Sequence, residues 1–227
     1  MILNGSVRVP EDSSDSRAVA AAGELLKPQT AMTLGELSTK ISRVYPEHER
    51  FMKLRPEPWL ALLDQLARTE LSASPEPLET KMKAHLDAQW IVVDCLGLPL
   101  ADTVRLAAHD AFPQWQLRSL EFAFVSPRTS TEAFYLTMIE QQLKKSFEKI
   151  DAVDQLIHQR DLGMDDLARL ARAELGIAFK RLAPRLDSSR PVLIFGDHGF
   201  RLAPDGRGFI HGGPSTLERV TAVLHFT

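Results

Sequence analysis

The run Trp90-Ile-Val-Val-Asp94 constrains this chain most, because four consecutive apolar residues, three of them β-branched, are closed by a carboxylate. An unbroken apolar run this short predicts a strand buried on both faces. Pro191-Val-Leu-Ile-Phe195 repeats the pattern and ends at Gly196-Asp197-His198-Gly199. Residues 120–125 and 220–226 predict two further strands, and residues 100–112 a helix. A long helical region is expected over residues 131–186, a hairpin turn at 204–208 and a tight loop at His211-Gly212-Gly213. Strands alternating with helices imply an α/β fold, a mostly parallel sheet flanked by helices, and such sheets gather ligands at the carboxyl ends of their strands.

Residues 1–87 carry helical signals and almost no strand signals. Apolar residues recur at helical spacing over 17–27, 34–43 and 58–71, punctuated by Pro28, Pro46, Pro56, Pro58, Pro75 and Pro77. A helical N-terminal extension over 1–87 is therefore expected, followed by an α/β domain over 88–227. At 227 residues roughly 70% of the unfolded surface can be buried, so a metal site would serve chemistry and not merely hold the fold together.

Cys95 is the only cysteine, which excludes an internal disulfide and reads as a small buried hydrophobe in a reducing compartment. Residues 1–16 lack the basic and apolar regions of a secretion signal, and the most apolar stretch, 90–101, is far below the ~20 residues a bilayer requires. A cytoplasmic chain with no membrane partner is expected. A net charge of −3 gives no global pull toward nucleic acid.

Metal-type ligands recur at the predicted strand ends. Asp94 closes the first strand. Asp154 and His158 stand four residues apart, which on a helix puts both on one face about 6 Å apart, suited to one divalent cation. Asp197 and His198 sit in the turn after a strand, and His211 adjoins two glycines that let the backbone approach a crowded site. Three histidines and three aspartates suffice for two divalent metal ions, and this mixed nitrogen and oxygen set suits zinc first and manganese second. His48, His85 and His225 show no partner pattern.

A nucleophile is expected in Ser126-Pro-Arg-Thr-Ser-Thr-Glu132, at a strand-to-helix turn where backbone N–H groups favour phosphate. Thr129, Ser130 and Thr131 are the candidates, and the spacing after Pro127 favours Ser130. Arg128, Arg201 and Arg207 are candidates for phosphate contact.

The ordered series Asp94, Ser130, Asp154-x-x-x-His158, Asp197-His198-Gly199 and His211-Gly-Gly-Pro-Ser-Thr-Leu-Glu218 resembles the PglZ-type branch of the alkaline phosphatase superfamily over about residues 90–227. That resemblance implies an alkaline-phosphatase-like core in which Asp94, Asp197, His198 and the nucleophile share one metal while Asp154, His158 and His211 hold the other. It implies a phosphodiesterase acting on nucleotides or nucleic acid, in a bacterial defence or signalling role. Cys95 follows Asp94 where that pattern carries glycine, and no strand is expected between the nucleophile helix and Asp154. The alternative is a non-catalytic interaction module whose helical N-terminal part docks a partner protein.

Overall fold

The computed structural model describes residues 76–125, 143–159, 162–203, 208–213 and 216–227. Leu78 and Met82, one helical turn apart, form the buried side of a short helix, α1 (Leu78–Ala84). The chain then enters β1 (Gln89–Val93), passes through α2 (Ala101–Ala111) and returns along β2 (Leu117–Phe124). After residue 142 come β3 (Phe147–Ile150), α3 (Ala152–Ile157), the 19-residue α4 (Met164–Leu182) and β4 (Val192–Phe195). A small antiparallel pair, β5 (Phe200–Leu202) and β6 (Phe209–His211), precedes α5 (Thr216–Arg219) and β7 (Val220–Phe226).

The main sheet has five strands in the order β2-β7-β4-β1-β3. β1 pairs in parallel with β3 and β4, whereas β7 pairs antiparallel with both β4 and β2. The α/β fold is as expected, but the sheet is mixed and not mostly parallel, because the reversed β7 enters between β4 and β2. β2, β4, β1 and β3 still run in one direction, so their carboxyl ends and the start of β7 share one rim.

Alternation along the strands divides the interior into two cores. Trp90 and Val92 of β1, with Leu193 and Phe195 of β4, face α1 and its Leu78 and Met82. Ile91, Val93, Val192 and Ile194 face the other way, onto α2 and α4 through Val104, Ala108, Leu175 and Phe179. With apolar layers on both sides, β1 and β4 carry no polar face, which accounts for their unbroken hydrophobic runs. Two consequences follow for the region around residues 76–87. α1 packs against the sheet, and Trp90 Nε1 donates to His85 O at 2.9 Å, so this stretch is integrated with the α/β unit.

The long helical region expected over 131–186 is corrected: β3 interrupts it, with Trp90 opposite Phe147 and Val93 opposite Ile150. Phe147-Glu-Lys-Ile150 is too short and polar to announce a strand, and its pairing with an already buried β1 decides its conformation. A strand therefore does stand before Asp154. Among the described residues, no helix is long and apolar enough to cross a membrane. The residues expected to form helices at 17–27, 34–43 and 58–71 lie outside the described ones.

Candidate metal centre

The rim at the carboxyl ends of β1, β3 and β4 is held by side chains that leave little freedom. Thr221, at the start of β7, accepts a hydrogen bond from Gly196 N at 2.9 Å and donates its own to Leu96 O at 2.8 Å, tying the ends of β4 and β1 to β7. A Cβ at Gly196 would meet Thr221 Oγ1 at 2.4 Å and Leu96 Cβ at 2.7 Å, so only glycine fits. Buried Glu218 accepts from Gly213 N at 2.9 Å and from Arg201 Nε at 3.0 Å, while its backbone oxygen accepts from Gly199 N at 2.8 Å. It thus locks the loops that carry His211 and His198 together.

All six residues expected to ligate metal converge on this rim, in two groups whose ligand atoms lie within 4.8 Å of one another. In the first, Nε2 of His198 stands 3.4 Å from Asp94 Oδ1 and 3.6 Å from Asp197 Oδ2, and all three residues are buried. In the second, His158 Nε2 lies 3.3 Å from Asp154 Oδ1 and 3.3 Å from His211 Nε2, which is 3.6 Å from Asp154 Oδ1. Zinc bonds of about 2.0–2.1 Å to nitrogen and oxygen place the ligands of one tetrahedral ion about 3.3–3.4 Å apart. The observed edges match that spacing. The second group is the more open, since the His158 side chain is 63% exposed against 9% for His198.

The first group is electrostatically incomplete as a set of protein atoms. His198 Nδ1 lies 3.2 Å from Gly199 O, which selects the tautomer with the proton on Nδ1 and turns the Nε2 lone pair toward two carboxylates. Among the described residues, Asp94 Oδ1 and Asp197 Oδ2 have no hydrogen-bond donor although both are buried. Burial, then the charge of Asp94, pushes the Asp197 carboxyl up to about 8. Three acceptors facing one point in a dry site repel one another, and either a proton held on Asp197 or a cation at that point relieves the repulsion.

No family model, curated protein or solved structure matches this chain. Burial, and then the neighbouring His198, lowers the pKa of His211, which favours the neutral imidazole that can ligate.

Lys149 and Cys95 are members of the cluster that sequence reasoning missed. Lys149 Nζ lies 2.9 Å from Asp94 Oδ2 and 2.5 Å from Asp151 Oδ1. Burial works to lower its pKa, but hydrogen bonds to Asp151 and Asp94 outweigh it and raise the value, so the ammonium stays charged and pins Asp94. The sequence hides this signal because Phe147-Glu-Lys-Ile150 carries no alternation long enough to mark a strand. Cys95, expected as a plain hydrophobe, is buried, but its Sγ lies 3.4 Å from Asp154 Oδ1 and 3.5 Å from His198 Nδ1. Its position beside Asp94 in the sequence was the available clue.

Arg201, a phosphate candidate, has its Nε committed to Glu218. Thr129, Ser130, Thr131, Arg128 and Arg207 lie outside the described residues, as does most of the hairpin turn expected at 204–208. His211 ends strand β6, and the tight loop begins only at Gly212, whose φ of +84° suits glycine.

Proposed function

We propose that this protein is a metal-dependent phosphohydrolase, a phosphodiesterase acting on nucleotides or nucleic acid, of the PglZ-like kind its ligand order resembles. One observation carries the reading: two triads, Asp94/Asp197/His198 and Asp154/His158/His211, at tetrahedral edge spacing on one rim, with two buried carboxylate oxygens lacking donors among the described residues. Three imidazoles and three carboxylates fit a pair of divalent cations, zinc before manganese. When bound, the cations supply charge neutralisation at the attacking, leaving and phosphoryl oxygens of an in-line displacement.

The chain's own groups do the rest. Asp94, held by Lys149, and Asp197, held through its Oδ1 by Cys95 N at 3.2 Å, present one oxygen each inward. His158, on the exposed side, stands where a substrate enters from solvent. A hydroxyl of the segment after β2, Ser130 first and Thr129 or Thr131 otherwise, loses its proton and attacks phosphorus as the ester's alcohol leaves; water then hydrolyses the phosphoryl ester and regenerates the hydroxyl, and Arg128 steadies the phosphoryl oxygens.

Hydrolysis of a nitrophenyl phosphodiester tests this reading. Chelator is expected to abolish turnover and zinc or manganese to restore it, and Asp197→Ala or His198→Ala to remove it. Full activity in either variant refutes the proposal. Two bound metals without hydrolysis of any phosphoester identify an interaction module instead.

A further inference from the structure

Cys95 adopts a conformation that a side chain makes costly. Its φ of +63° lies in the left-handed region, which disfavours a non-glycine residue by about 1–2 kcal/mol. Glycine would occupy the same turn without that cost. The side chain that carries it reaches the middle of the cluster, where it belongs to two groups of ligand-type atoms, one with His198 and His211 and one with Asp94 and Asp154. Each group takes one member from either triad, so the sulfur stands between the two cation positions.

Distances support coordination. A zinc–sulfur bond of about 2.3 Å beside a bond of about 2.0–2.1 Å to nitrogen or oxygen puts two tetrahedral ligands about 3.6 Å apart. Sγ lies 3.4 Å from Asp154 Oδ1 and 3.9 Å from His198 Nε2, bracketing that value. An independent observation also points to a ligand here: Asp94 Oδ1, on a side chain only 5% exposed, lacks a donor among the described residues, and Asp94 shares a group with Cys95. A neutral thiol has one proton, too few for the three carboxylates around it.

We propose that Cys95 is a thiolate ligand of this centre, shared between the two triads, and that it makes the site selective for a thiophilic divalent cation such as zinc over magnesium. This rests on the metal reading of the site given above. Binding then displaces the thiol proton to solvent as the metal–sulfur bond forms.

Cobalt(II) titrated into the metal-stripped full-length protein reads the two claims separately. With a single cysteine in the chain, a near-ultraviolet sulfur-to-cobalt charge-transfer band can arise only from Cys95 thiolate. The band is expected in the wild type and lost in Cys95→Ala and Cys95→Ser, while visible cobalt bands persist from the histidines and aspartates. Visible bands without the charge-transfer band in the wild type overturn the thiolate proposal and leave the metal centre standing. No cobalt uptake by the wild type overturns both. X-ray absorption of the wild-type zinc form is independent of any variant's folding: a sulfur shell at about 2.3 Å is expected, and a shell of nitrogen and oxygen alone at about 2.0–2.1 Å overturns the proposal.

Discussion

His198 and His211 stack face to face, their ring centroids 4.7 Å apart and their planes inclined by 9°. One ring belongs to the buried triad and the other to the open triad, so the stack joins the two ligand sets. His158 meets the same His211 edge-on at 5.1 Å. The two triads are thus immediate neighbours on the rim.

Metal content should follow that division. Wild-type protein is expected to hold two equivalents of zinc, and His211→Ala and Asp197→Asn one each, read by elemental mass spectrometry on the purified proteins. Loss of all metal from His211→Ala would show a single shared site.

Lys149 neutralises Asp94, whose side chain is only 5% exposed. Lys149→Met leaves that carboxylate beside Asp197 with no cation of its own, and metal-free protein should lose about 1–3 kcal/mol in urea unfolding. Zinc should restore part of the loss, because it supplies positive charge to Oδ1, the other oxygen of the same carboxylate. Equal losses with and without zinc would separate Lys149 from the centre.

Two glycines should respond in opposite directions. Gly196→Ala drives a methyl group into Thr221 and Leu96 and should cost about 1–3 kcal/mol, together with metal affinity. Gly176→Ala, on α4 with nothing among the described residues within 4 Å of the added carbon, should stabilise by about 0.5–1 kcal/mol. Thermal melts of the two variants check both signs.

His85 and His225, which show no partner pattern in the sequence, pack ring to ring at 4.3 Å. Burial first, and the neighbouring His85 second, lowers the pKa of His225 below its usual 6.5. A depressed histidine favours the fold above the unfolded pKa of 6.5, and that contribution is lost as pH falls through the lower folded value. Wild-type melting temperature should therefore fall more steeply between pH 7 and about pH 5 than that of His225→Gln. Parallel slopes would contradict it.

Much of the rim was legible in the sequence because burial leaves a local mark. Trp90–Val93 and residues 192–195 could be assigned as strands from their own composition, and residues 220–226 form β7 as expected. The i, i+4 spacing of Asp154 and His158 translated directly into a 3.3 Å approach of His158 Nε2 to Asp154 Oδ1, since the single turn from α3 to its C-cap residue brings the two side chains together.

Residues whose role depends on partners distant in the chain were not legible in this way. β3 is a strand because β1 is beside it, and Lys149 finds Asp94 only through that pairing. The direction of β7 follows from which strand ends meet in space, so its antiparallel entry could not be read from its apolar pattern. Cys95 looks like any small apolar residue until the turn after β1 aims its sulfur between Asp154 and His198, 59 and 103 positions away. The sequence by itself determined which segments are buried strands and which residue types can ligate, because hydrophobic patterning and side-chain chemistry are local. The tertiary structure alone decided strand direction, the company of Lys149 and Cys95, and the gathering of two triads, because those depend on close packing between segments that the chain keeps far apart.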